Sequence, residues 1–162
     1  MSLDYKENFE QIKIAGNLAA STLDEVTPFV KPGVSTDQLD KICYEFIRDN
    51  KGYSAPLFYR GFPKSCCTSA NHIVCHGIPS DKYLKEGDQI NIDVTAIVNG
   101  WHGDTSRMFF VGDASVKSKK LVSTTYESMM NAISIVKDGL HLGDIGESIQ
   151  TYVEKKGFSV VR

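Results

Sequence analysis

Gln89-Ile-Asn-Ile-Asp-Val-Thr-Ala-Ile-Val98, then Asn99-Gly100, then Trp101-His-Gly-Asp-Thr-Ser-Arg-Met-Phe-Phe-Val111 is the stretch on which the reading of this sequence turns. Both flanks are rich in β-branched and aromatic residues. Asn-Gly tolerates positive φ at both central positions of a type I′ turn, so the stretch predicts a tight β-hairpin. That turn sets the register: Val98 opposes Trp101, Thr95 opposes Asp104 and Asp93 opposes Ser106. Opposed residues share a face, so Asp93, Thr95, His102, Asp104 and Ser106 point one way. Ile92, Val94, Ala96, Val98, Trp101 and Phe109 point the other way, toward a core. One extra residue in either strand would turn one of the aspartates away.

Two carboxylates then lie diagonally on one face, their Cα atoms roughly 5–8 Å apart. Like charges that close repel unless a cation lies between them or one takes a proton. Three readings fit the spacing: a divalent metal site, a solvated sheet face, and a carboxylate pair working as acid and base without metal. His76, in Val74-Cys-His-Gly-Ile-Pro79, is a lone histidine in a loop and does not decide among them.

Working outward, residues near 6–27 place Ile12, Ala15, Leu18, Ala19, Leu23 and Val26 on one helical face, ended by Pro28, Pro32 and Gly33. Ser35-Thr-Asp-Gln38 is a capping box that opens a second helix. Leu39, Ile42, Cys43, Phe46 and Ile47 form its apolar stripe, and Gly52 closes it. Residues 54–79 read as irregular. After residues 112–119 the opening pattern returns. Leu39, Cys43, Phe46 and Ile47 are answered, 106 residues later, by Ile145, Ile149, Tyr152 and Val153, and Phe29-Val-Lys-Pro-Gly33 by Ile135-Val-Lys-Asp-Gly139. The expected organisation is one domain over residues 1–162, incomplete, with a first pseudo-repeat at 1–112 and the start of a second at 113–162.

With 162 residues, 41% hydrophobic and 23% charged, the composition is that of an ordinary globular domain. A net charge of −2 gives no general pull toward nucleic acid or anionic membrane. No apolar run approaches the ~18 residues of a membrane helix, and the charged start does not read as an export signal. Four cysteines in that setting are expected as reduced thiols in a cytoplasmic protein. A zinc knuckle from Cys66, Cys67, Cys75 and His76 is set aside, because its spacing matches no usual zinc pattern.

Val74-Cys-His-Gly-Ile-Pro79, Asn91-Ile-Asp-Val-Thr95 and Gly100-Trp-His-Gly-Asp-Thr-Ser-Arg107 together resemble type I methionine aminopeptidases, as do Tyr59-Arg-Gly-Phe-Pro-Lys-Ser65 and Val30-Lys-Pro-Gly-Val-Ser35. The resemblance implies an α+β pita-bread (creatinase/aminopeptidase) fold, an antiparallel sheet flanked by helix pairs, here truncated in its second pseudo-symmetric half. It implies two divalent metal ions (Co, Mn, Fe or Zn). Asp93 matches a bidentate metal ligand and Asp104 the bridging one. His76 matches a catalytic, substrate-contacting histidine. Tyr59, Phe62 and Cys67 match the wall of the methionine pocket, and Asn71 a monovalent-cation loop. Pro56 departs from the family at a pocket position.

Ser159-Val-Val-Arg162 resembles the segment just before the family's remaining histidine and two glutamate ligands, so residues 1–162 alone are expected to be inactive. The implied activity is removal of N-terminal methionine by two-metal hydrolysis. The implied partners are nascent polypeptide N-termini, met at the ribosome, with no nucleic acid bound directly and no membrane. The complete protein is expected to be a cytoplasmic monomer. The alternatives are a related prolidase or aminopeptidase P, and a non-catalytic pita-bread binding module. The His-Gly-Ile-Pro and Trp-His-Gly-Asp-Thr-Ser stretches disfavour the first, and the intact Asp93, Asp104 and His76 disfavour the second.

Overall fold

Along the chain, α1 (Tyr5–Val26) and α2 (Thr36–Asp49) precede a two-residue strand β1 (Tyr53–Ser54), a short strand β2 (Cys67–Ala70) and the hairpin strands β3 (Gln89–Val98) and β4 (Trp101–Phe110). Helices α3 (Val116–Ser134) and α4 (Leu142–Lys155) follow. The computed structural model describes residues 5–161, so Arg162, the end of the segment singled out above, lies outside the described residues. The chain divides into two compact units between Ala114 and Ser115.

In the first unit the hairpin forms in the predicted register, with Val98 opposite Trp101, Thr95 opposite Asp104 and Asp93 opposite Ser106. Asn99 and Gly100 take φ of 52° and 83°, as the type I′ turn requires. The pairing runs without a bulge from Val98–Trp101 to Gln89–Phe110. On the other edge of β3, β2 pairs with residues 90–93 and β1 with residues 96–97, all antiparallel. Burial alternates along β3: Ile90, Ile92, Val94 and Ala96 are fully buried, and the residues between them are half-exposed.

The apolar side of this sheet meets the two helices. Ala19, Leu23 and Val26 of α1 and Leu39, Cys43 and Ile47 of α2 close on Ile90, Ile92, Val94 and Ala96. Helix α1 lies so near β4 that a Cβ on Gly103 would stand 2.1 Å from the Ala15 carbonyl carbon and 2.2 Å from the Gly16 nitrogen. Only a hydrogen fits there. Arg107 ties the far end of α1 to the sheet through its Nη1–Asp24 Oδ1 pair of 2.8 Å.

Three details differ from the sequence reading. Ile12, expected on the buried face of α1, is 47% exposed, and Thr22 is buried instead, its hydroxyl donating to the Leu18 carbonyl at 2.8 Å. A threonine can occupy a buried helical position when its own helix satisfies it. At the end of α2 the left-handed residue is Lys51 (φ 62°) and not Gly52. Residues 54–79 are also less irregular than they read, because β2 sits within them and β1 ends at Ser54. Strands of two and four residues leave no periodicity to detect.

The second unit holds α3, capped by the Ser115 hydroxyl, which accepts from Ser118 N–H at 3.1 Å. In α4 the N-cap His141 N–H donates to Asp144 Oδ2 at 2.9 Å. Thr124, Ser128 and Ala132 of α3 and Val153 of α4 are buried. No helix among the described residues is long and apolar enough to cross a membrane.

Candidate functional site

The polar side of the sheet forms the floor of an open cavity of about 660 Å³. Asp93 on β3 and Asp104 and His102 on β4 reach it from the hairpin, Cys67 from β2, His76 from the loop after β2, and Tyr59, Arg60 and Phe62 from the loop before it. Residues up to 45 positions apart therefore converge because β3 is the common partner of β2 and β4. Cys67 is the Cα partner of Asp93, so its side chain shares the aspartate face. Its neighbour Cys66 alternates to the other side and is buried in the core with Cys43.

One buried carboxylate fixes where β2 begins. Asp40, on the α2 stripe, accepts at Oδ1 from the Ser65 N–H at 2.8 Å, the Ser65 hydroxyl at 2.6 Å and the Cys66 N–H at 3.0 Å. Those bonds clamp the two residues before Cys67 to the helix, and so set the height of Cys67 in the cavity. His76 is fixed by a different device. Its backbone is left-handed (φ 52°), and the following Gly77 presses onto β2 so closely that a Cβ there would stand 2.2 Å from the Thr68 carbonyl oxygen. Gly77 O accepts from Thr68 N–H at 2.8 Å, and Gly77 N–H donates to Ser69 Oγ at 3.1 Å. The loop is thereby stitched to the strand with the His76 ring on the cavity side.

The electrostatics are those of a crowded anionic site. Burial pushes the Asp93 carboxyl above its ordinary range, the Asp104 carboxylate pushes it further, and His76 pulls it partly back. Asp104 is steadied by Thr95 Oγ1, which donates to its Oδ1 at 3.0 Å. Burial, with the Asp93 charge adding to it, holds the Cys67 thiol up at about 11. At neutral pH Cys67 is thus an uncharged thiol that presents an apolar wall, with no thiolate nucleophile.

Of the residues singled out in the sequence, Asp93, Asp104, His76, Tyr59, Phe62 and Cys67 are brought together. Asn71 is not among the cavity residues. Its Oδ1 accepts from Gln89 N–H at 3.2 Å and its Nδ2 donates to Asp88 Oδ1 at 2.9 Å. Pro56 lines the cavity, as does Arg60, to which the sequence assigned no role. Nothing in the sequence singled out Arg60, which shares its loop with a second cation, Lys64. Among the described residues, no three His, Cys, Asp or Glu side chains are grouped closely enough to hold a metal ion between them.

Residues 10–162 match the metallopeptidase family M24. The chain belongs to that family. Within the M24 metallopeptidases it is similar to the methionine aminopeptidase of Rickettsia prowazekii, 55% identical over 157 residues, which are 97% of this chain and 61% of that protein. It is 50% identical to the methionine aminopeptidase of Escherichia coli, covering 100% of this chain and 62% of that protein. The crystal structure of the Rickettsia prowazekii methionine aminopeptidase superposes with a TM-score of 0.97 at 53% identity, covering 100% of this chain and 65% of that one. The fold is the α+β pita-bread architecture of this M24 neighbour, and the chain spans about three-fifths of the length of the curated relatives it matches.

Proposed function

We propose that this M24 chain carries part of the active site of a cytoplasmic methionine aminopeptidase, which removes N-terminal methionine from newly made polypeptides. The observation that carries the reading is the pairing of Asp93 and Asp104 on one sheet face, inside a cavity shared with His76. The likeness to two methionine aminopeptidases at 50–55% identity supports this peptidase over a proline-specific relative.

The donors fit a divalent cation. Burial raises the Asp93 pKa and the Asp104 carboxylate raises it further, and no lysine or arginine is paired with either among the described residues. Hard oxygen donors of this kind suit Mn²⁺, Fe²⁺, Co²⁺ or Zn²⁺. Asp93 and Asp104 would be among the ligands of two such ions. When bound, such ions supply Lewis acidity and a water of lowered pKa. The remaining work falls to this chain's own side chains. Thr95 fixes the orientation of Asp104 through its hydroxyl. His76, held on its stitched loop, would donate to the substrate amide as charge develops there. Tyr59, Phe62 and the un-ionised Cys67 offer apolar and soft surface to a thioether side chain.

In the full-length protein, Asp104→Asn keeps the size of the ligand and removes its charge. Methionine release from Met-Ala-Ser is expected to fall by more than about 100-fold, since changing even a group that only hydrogen-bonds to a metal ligand costs about 10–100-fold. Unchanged release would sink the assignment. Cleavage of an X-Pro bond with no release from Met-Ala-Ser would favour the prolidase reading.

A further inference from the structure

We infer that Arg60 reads the charge of the polypeptide at its third and fourth positions, and gives the site a preference for acidic over basic residues there. The inference rests on the peptidase reading above and adds a specificity that the reading does not contain.

The first observation is an unanswered charge. Arg48 pairs with Asp49 at 2.8 Å and Arg107 with Asp24 at 2.8 Å. Arg60 has no carboxylate within ion-pair distance among the described residues, although it lines the same cavity as Asp93 and Asp104. Its guanidinium carbon lies 5.5 Å from the centre of the Tyr59 ring, over a residue that also lines the cavity. Stacking of this kind restrains a guanidinium without neutralising it.

The second observation is how the loop is built. Arg60 has φ of 48° and Phe58 φ of 67°, a region that L residues other than Asn and Asp rarely adopt. The loop holds both in place with its own backbone: Phe58 N–H donates to Phe62 O at 2.8 Å, Tyr59 N–H to Pro56 O at 3.0 Å and Phe62 N–H to Tyr59 O at 2.9 Å. Backbone kept in sparsely populated conformations by its surroundings concentrates at ligand clamps. Here the strain presents Tyr59 and Arg60 at the cavity and leaves Phe58 79% exposed beside them.

Together these put a cation that no carboxylate answers into the cavity that also holds Asp93 and Asp104. A cavity of about 660 Å³ takes a small-molecule-sized ligand, so a longer polypeptide has to continue out of it, and on a course past the loop its outer residues reach Arg60. Side chains at the third and fourth substrate positions would meet Arg60, where a carboxylate gains a partner and an ammonium is repelled.

The test uses the full-length, metal-loaded protein and three peptides that begin Met-Ala and carry Glu, Gln or Lys at positions three and four. At low ionic strength kcat/KM is expected to be about 3–10-fold higher for the Glu than for the Lys peptide, with the difference in KM. It should shrink toward one at roughly 0.5 M salt. Arg60→Gln should bring the ratio close to one, Arg60→Glu should invert it and Arg60→Lys should keep it. Equal rates for the Glu and Lys peptides with the unaltered protein overturn the inference, whatever the variants do. A ratio that survives Arg60→Gln also overturns it. Absence of methionine release from all three peptides overturns the aminopeptidase reading and this inference with it, whereas release without charge preference overturns this inference alone.

Discussion

Two helix pairs in this chain are written in the same local code and end in different states. In α1 and α2, Ala15, Ala19, Leu23, Val26, Leu39, Cys43 and Ile47 are buried to 1% exposure or less, because the apolar face of β3 and β4 closes over them. In α3 and α4 the buried residues are Thr124, Ser128, Ala132 and Val153, while Met130 is 44%, Ile133 55% and Leu142 87% exposed. Both second helices open on a cap with a matching side chain three residues on, Gln38 for Ser35 and Asp144 for His141. Local sequence therefore starts and stops a helix in either unit, but an amphipathic stripe becomes a core only where a second apolar surface meets it.

At the spacing of 106 residues read in the sequence, Leu39 corresponds to Ile145 and the buried Asp40 to Gly146. Asp40 serves strand β2, whereas a Cβ on Gly146 would find nothing within 4 Å. The contrast can be broken by substitution. Asp40→Ala should have the largest effect, a loss of about 2–4 kcal/mol in urea denaturation, because it strands the Ser65 and Cys66 N–H groups without an acceptor. Stability unchanged within ~0.5 kcal/mol would mean that β2 does not depend on the α2 clamp. Gly103→Ala should cost about 1–3 kcal/mol, since the new methyl meets the backbone of α1, which cannot move as a flexible side chain would. The smallest change is expected from Gly146→Ala, a gain of about 0.5–1 kcal/mol in the helicity of α4, read as slower amide exchange there. A loss instead would show that Gly146 faces a surface that has no room for a methyl.

Much of the site was legible because one dipeptide fixes many positions at once. Asn99-Gly100 determines the turn, the turn determines the register, and the register puts Asp93 and Asp104 on one face. The same logic did not reach His76, which lies on a loop whose course depends on Gly77 touching Thr68. Nor did it reach Asp40, which reads as one more polar residue beside a helical stripe and is buried because three donors from residues 65 and 66 converge on it. Arg60 was equally silent, since a cation is informative only once the acids around it are known to be committed elsewhere. The reverse held for Ile12, apolar at the right spacing but beyond the reach of the sheet.

What the sequence determined alone was whatever follows from backbone periodicity and short-range stereochemistry: the helices and their caps, the hairpin, its register and the sidedness of its carboxylates. The tertiary structure alone decided which of those surfaces found a partner. It set Cys67 across from Asp93, held the Cys67 thiol un-ionised, turned His76 toward the aspartates and left the Arg60 charge unanswered. Each of these depends on groups distant in the chain meeting at a few ångströms, where burial and Coulomb interaction act and sequence separation does not.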